Sequence, residues 1–104
     1  MTFRTVTPGS STDNPGDEEI AAALRQLYDE KIDAVILVAD KKKNLFMQMG
    51  CGGRHIEYCV GPEGPIYSAD DVPIELAAQM FLAYKRGDDD WKTAVTWAVE
   101  IEEL

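Results

Sequence analysis

The chain has 104 residues, of which 10 are Lys or Arg and 19 are Asp or Glu, for a formal net charge of −9. That length suits one small domain with a single core, since a chain of this size buries roughly two-thirds of its unfolded surface. The charge argues against non-specific binding to nucleic acid or anionic membrane, both of which need positive surface, and it permits a basic protein partner whose approach it would accelerate.

Residues 1–13 carry Thr, Ser, Pro and Gly with only Phe3 and Val6 as large apolar groups, and read as a flexible tail in which 3–6 can add a short edge strand. Residues 14–104 read as one domain. A helix is expected from Asn14, with Pro15 in its first turn, Asp17, Glu18 and Glu19 at its positive end, and Ile20, Leu24, Leu27 and Tyr28 as its apolar stripe. Residues 34–39 (Ala-Val-Ile-Leu-Val-Ala) form a continuous apolar run of strand length, expected in mid-sheet and covered on both faces or nearly so. After a polar turn at 40–44, Leu45, Met47 and Met49 alternate with Phe46 and Gln48. Past a glycine-rich break at 50–53, Ile56, Tyr58 and Val60 alternate with His55, Glu57 and Cys59, and both patterns are those of half-buried strands. Ile66 and Tyr67 can open a fourth strand.

The second helix is the best-marked element. Pro73 suits a first turn, Ile74, Ala77, Ala78, Phe81 and Tyr84 form one stripe, Lys85 and Arg86 complement the carbonyl end, and Gly87 is a left-handed stop. After the acidic turn at 88–90, Val95, Trp97, Val99 and Ile101 alternate with polar or small residues and predict a core-facing strand. The expected fold is therefore α+β: an antiparallel sheet of four to five strands with two helices packed on one face, in the order α-β-β-β-(β)-α-β.

Cys51, His55 and Cys59 invite a metal reading, but Gly52 and Gly53 disfavour a helix between them. Extended chain sets the two thiols up to roughly 25 Å apart at ~3.3 Å per residue. No metal, no cofactor and no disulfide is expected. Nucleophilic catalysis would need His55 as its base, with Cys51 not clearly placed for it. No segment approaches the ~20 apolar residues of a membrane span, and the start has no apolar signal core. With two cysteines, that points to reduced thiols in the cytoplasm.

Two features point to a protein partner. Phe46, Gln48, His55, Glu57 and Cys59 would share the sheet face away from the helices, too apolar for ideal solvent surface and too polar for a core. Asp88, Asp89 and Asp90 precede Trp91, a residue type enriched in binding hot spots, which can also tuck under the turn and pack on the helix end. Val72-Pro73, Phe81, Tyr84, Gly87 and Trp97 carry a further signal. The stretch 72–97 resembles the Imm1-type bacterial immunity family, where a helix runs into Phe-x-x-Tyr-x-x-Gly, a short turn and a strand with tryptophan; the family's turn proline is replaced here by Asp88-Asp89-Asp90-Trp91. The resemblance implies a cytoplasmic inhibitor of a toxin enzyme, without catalysis of its own. A homodimerisation or adaptor module is the alternative expectation, and a small hydrolase-type enzyme the third.

Overall fold

The computed structural model describes residues 1–6, 9–50, 55–61 and 65–99. The elements are β1 (Thr2–Val6), β2 (Ser10–Asp13), α1 (Asp17–Tyr28), β3 (Ala34–Asp40), β4 (Leu45–Gly50), β5 (His55–Val60), β6 (Ile66–Asp70), α2 (Ile74–Arg86), a 3₁₀ turn (Asp90–Lys92) and β7 (Ala98–Val99). Among the described residues the strands form one antiparallel sheet of seven, ordered β2-β1-β3-β4-β5-β6-β7. The α+β class and the two helices agree with the sequence reading. The expected strand count of four to five, and the order α-β-β-β-(β)-α-β, do not.

The difference lies at both ends of the chain. The stretch read as a tail, with 3–6 as a short edge strand, carries β1 and β2. β1 does form over those residues but is not an edge, since it pairs with β2 on one side and with β3 on the other, from Thr2↔Val38 to Val6↔Ala34. Phe3 anchors this hairpin, 4% exposed within the core. One large apolar side chain in the right register ties the hairpin to the sheet, and the threonines beside it are good strand formers. At the other end, the strand expected through 95–102 is confined to Ala98–Val99 among the described residues. Trp97 Nε1 donates to the Lys92 carbonyl at 3.1 Å, a local bond that competes with ladder pairing and holds 92–97 in a turn. Trp97 and Val95 are half-buried, whereas Val99 is 54% exposed rather than core. Ile101 lies outside the described residues.

The helices obey their sequence signals. Glu19 Oε1 accepts the Gly16 N–H at 3.2 Å, so Gly16 caps α1, which starts at Asp17, three residues beyond Asn14, and leaves Pro15 ahead of its first turn. Gly87 takes φ 81°, and the N–H groups of Gly87 and Asp88 donate to the carbonyls of Tyr84 and Ala83, closing α2 with a left-handed turn. The helices run antiparallel: the Tyr28 hydroxyl donates to the Val72 carbonyl at one end, and Lys85 Nζ lies 2.6 Å from Asp17 Oδ1 at the other.

Both helices cover the same face of the sheet. Ile20, Leu24 and Leu27 of α1 and Ala77, Met80 and Phe81 of α2 share one core with Val35, Leu37, Met47, Met49, Ile56 and Tyr58. Met80 joins the expected stripe because α2 packs on α1 as well as on the sheet. The alternate residues Ile36, Val38, Phe46, Gln48, His55 and Glu57 face away and are half-buried. The run at 34–39 is thus covered on one face and only partly screened on the other.

Candidate functional site

The residues singled out from sequence fall into two groups on opposite sides of the sheet. On the open face, cross-strand register puts Phe46 opposite Cys59, Gln48 opposite Glu57 and His55 opposite Asp70. Gln48 Nε2 donates to Glu57 Oε1 at 2.7 Å, and the His55 ring lies between two carboxylates, with Nδ1 2.7 Å from Asp70 Oδ1 and Nε2 3.4 Å from Glu57 Oε2. The carboxylates fix the ring's orientation, as a hydrogen-bonded neighbour generally does for imidazole. Sequence reasoning missed Asp70 here because its pairing with His55 depends on the β5–β6 register. Cys59 is buried, its thiol donating to the Gly61 carbonyl at 3.1 Å and accepting from Asn44 Nδ2 at 3.4 Å. Cys51 lies outside the described residues. Among the described residues, no group of three His, Cys, Asp or Glu side chains is placed to hold a metal ion.

The second group sits where α2 ends. The left-handed turn at Gly87 sends the chain back under the helix terminus, so Asp88, Asp89 and Asp90 are exposed while Trp91 is 5% exposed. Trp91 is therefore a packing residue first: its ring meets Tyr58 at 4.6 Å and Tyr84 at 5.3 Å between centroids, both edge-on. Tyr58 also stacks on Tyr67 at 4.9 Å and takes the edge of Trp97 at 4.6 Å. Such pairs add about 0.5–1.5 kcal/mol each beyond area burial.

Beside these rings opens a pocket of about 210 Å³, lined by Ala39, Leu45, Tyr58, Tyr84 and Trp91, by Cys59 near the end of β5, and by the exposed charged residues Asp88, Asp89 and Lys92. Burial pushes the Tyr84 phenol up to about 12, with a further contribution from Cys59; burial first, then Tyr67, raises Tyr58. Both phenols therefore stay neutral hydroxyls at ordinary pH. The rim charges are partly matched within the chain: Arg86 Nε lies 3.1 Å from Asp88 Oδ2, and Lys92 Nζ 3.2 Å from Asp89 Oδ1. Asp90 has no ion pair among the described residues. The alternation of β5 placed Tyr58 in the core and the helix stripe placed Tyr84 there, but neither pattern could bring the two rings together around Trp91.

No family model, curated protein or solved structure matches this chain. No helix of the described residues is long and apolar enough to cross a membrane.

Proposed function

We propose that the protein is a small acidic binding protein without catalysis, whose partner is a basic protein, and that it acts in the cytoplasm as an immunity-like inhibitor of a toxin enzyme. The observation that carries the binding role is the corner at the end of α2, where exposed Asp88 and Asp89 line an aromatic pocket, with exposed Asp90 next along the chain, in a chain of net charge −9. Carboxylates on the rim steer a basic partner, and fixed rings supply contact area at low entropic cost. The inhibitory role rests on the Imm1-type resemblance of 72–97. The experiment is co-expression with the proteins encoded by the genes flanking its own. The expected result is a complex with a basic product, relief of that product's toxicity, and weaker affinity as salt is raised. No complex with any of these products, or one indifferent to salt, overturns the reading.

Self-association is a second reading, favoured by a different surface. Ile36, Val38 and Phe46 adjoin across β3 and β4, half-buried around a depression of about 230 Å³ on the face opposite the helices. A second copy seated there would complete their burial, with His55 and Glu57 at its margin. Phe46→Asp should then yield a folded monomer by circular dichroism and sedimentation, where the parent chain sediments as a dimer. A parent chain that is monomeric at high concentration removes this reading.

A further inference from the structure

The pocket at the end of α2 is of the size and chemistry of a single side chain. Its volume is about 210 Å³. That falls below the ~300 Å³ at which sites for whole small molecules begin. Leu45, Tyr58, Tyr84 and Trp91 line it with apolar surface, and its charged lining residues, Asp88, Asp89 and Lys92, are exposed. An occupant with an aliphatic stem and a cationic tip matches that division, as a snorkelling basic side chain does on any apolar surface with a wet edge.

The chain already presents one such tip to the mouth. Lys92 Nζ lies 5.6 Å from the centroid of the Trp91 ring and 3.2 Å from Asp89 Oδ1, so an aromatic ring and a carboxylate converge on one ammonium. Its stem reaches the ring from the adjacent backbone position, at the rim, and leaves the pocket open. An ammonium is thus the kind of tip that this ring and this carboxylate already hold within the chain.

We infer that the pocket receives one lysine side chain of the basic partner, and that Lys92 competes with it at the mouth. The inference rests on the reading of the protein as an acidic binding protein. The incoming stem lies along Leu45 and the three rings, its ammonium takes the position between Trp91 and Asp89, and Lys92 swings out to solvent, where 49% of its side chain already is.

The test uses n-butylammonium, the lysine side-chain analogue, titrated into the isotope-labelled full chain and followed by NMR. The expected result is saturable shifts at Tyr84, Asp88, Asp89 and the Trp91 indole N–H, with β1 and β2 unmoved. Lys92→Ala should tighten binding by about two- to fivefold, the range of one exposed cation–ring contact. Asp89→Asn should weaken it, with unchanged circular dichroism as the control on folding. Equal binding of neutral 1-butanol overturns recognition of the ammonium, and tighter binding of n-butylguanidinium overturns the assignment to lysine. An affinity unmoved by Lys92→Ala overturns the competition. A chain that binds n-butylammonium but no flanking-gene product keeps the site and loses the proposed function. One that binds such a product equally well with and without Asp89→Asn keeps the function and loses the site.

Discussion

Trp91 and Trp97 differ in what surrounds them, and the difference sets the cost of removing each. Trp91 is 5% exposed, against Tyr58 and Tyr84, whereas Trp97 is half-buried and held partly by its bond to the Lys92 carbonyl. Trp91→Ala should destabilise the fold by about 3–5 kcal/mol, the range for a buried large aromatic. Trp97→Ala should cost less, because solvent already reaches its ring. Urea denaturation followed by far-ultraviolet circular dichroism measures both, and the reverse order would contradict the packing described. The phenols make a second residue-scale prediction. Tyr28 and Tyr84 are raised from 10.0 to about 12, chiefly by burial, with Glu75 adding to the first and Cys59 to the second. The folded chain therefore binds more protons than the unfolded chain between these values, so the stability they contribute is fully present below pH 10 and is lost as pH rises towards 12. Tyrosinate absorbance should show both phenols ionising only near 12; all four tyrosines titrating near 10.0 would refute it.

Among the elements, α2 is the one whose ends are fixed most tightly by single residues. Gly87 at φ 81° lets the chain turn under the helix terminus and so sets Asp88, Asp89 and Trp91 around the pocket. Gly87→Ala forces an L-residue into the left-handed region and should cost about 1–2 kcal/mol, though a Cβ there meets nothing within 4 Å. Thermal unfolding should reveal the loss; a wild-type melting point would mean that the turn relaxes freely. α2 was legible because Pro73, the apolar stripe, Lys85-Arg86 and Gly87 are local signals that agree with one another. The strands β3, β4 and β5 were legible for the same reason, since Leu45, Met47 and Met49 alternate strictly with Phe46 and Gln48. The β1–β2 hairpin was not, because its place depends on one contact distant in sequence, Phe3 opposite Leu37. The alternation at 95–101 misled for the opposite reason: Trp97 satisfies its indole N–H locally at the Lys92 carbonyl, so the pattern of a strand begins before the strand does, at Ala98. At the site, the aspartates and Trp91 were visible in the sequence, but the pocket was not, because Tyr58 comes from another strand.

At the scale of the whole molecule, charge is the term with least local compensation. The ion pairs Lys85–Asp17, Arg86–Asp88 and Lys92–Asp89 neutralise part of the surface around the end of α2. The hydrogen bond from Lys85, then its charge, holds Asp17 below its ordinary value of 3.8, so this tie between the helices is present above that pH and is lost as pH falls through the lowered value. A net charge of −9 nonetheless leaves the compact state repelling itself. Raising salt from about 0.01 M to about 0.15 M shortens the screening length from ~30 Å to ~8 Å. The melting temperature should therefore rise over that interval, as scanning calorimetry can show. A fall would mean that these three ion pairs outweigh the general repulsion.

The corner at the end of α2 also governs what light reports about this protein. Its two tryptophans lie 6.1 Å apart, ring to ring, and both touch Tyr58. Intrinsic emission excited at the red edge of the indole band therefore samples this one corner and is blind to the hairpin of β1 and β2. The paired indoles, crossed at 86°, are close enough to couple their excited states, so near-ultraviolet dichroism should carry a split band that vanishes in either Trp→Ala variant. An event confined to the open sheet face would leave emission and dichroism unchanged, while entry of a side chain beside Trp91 would alter both.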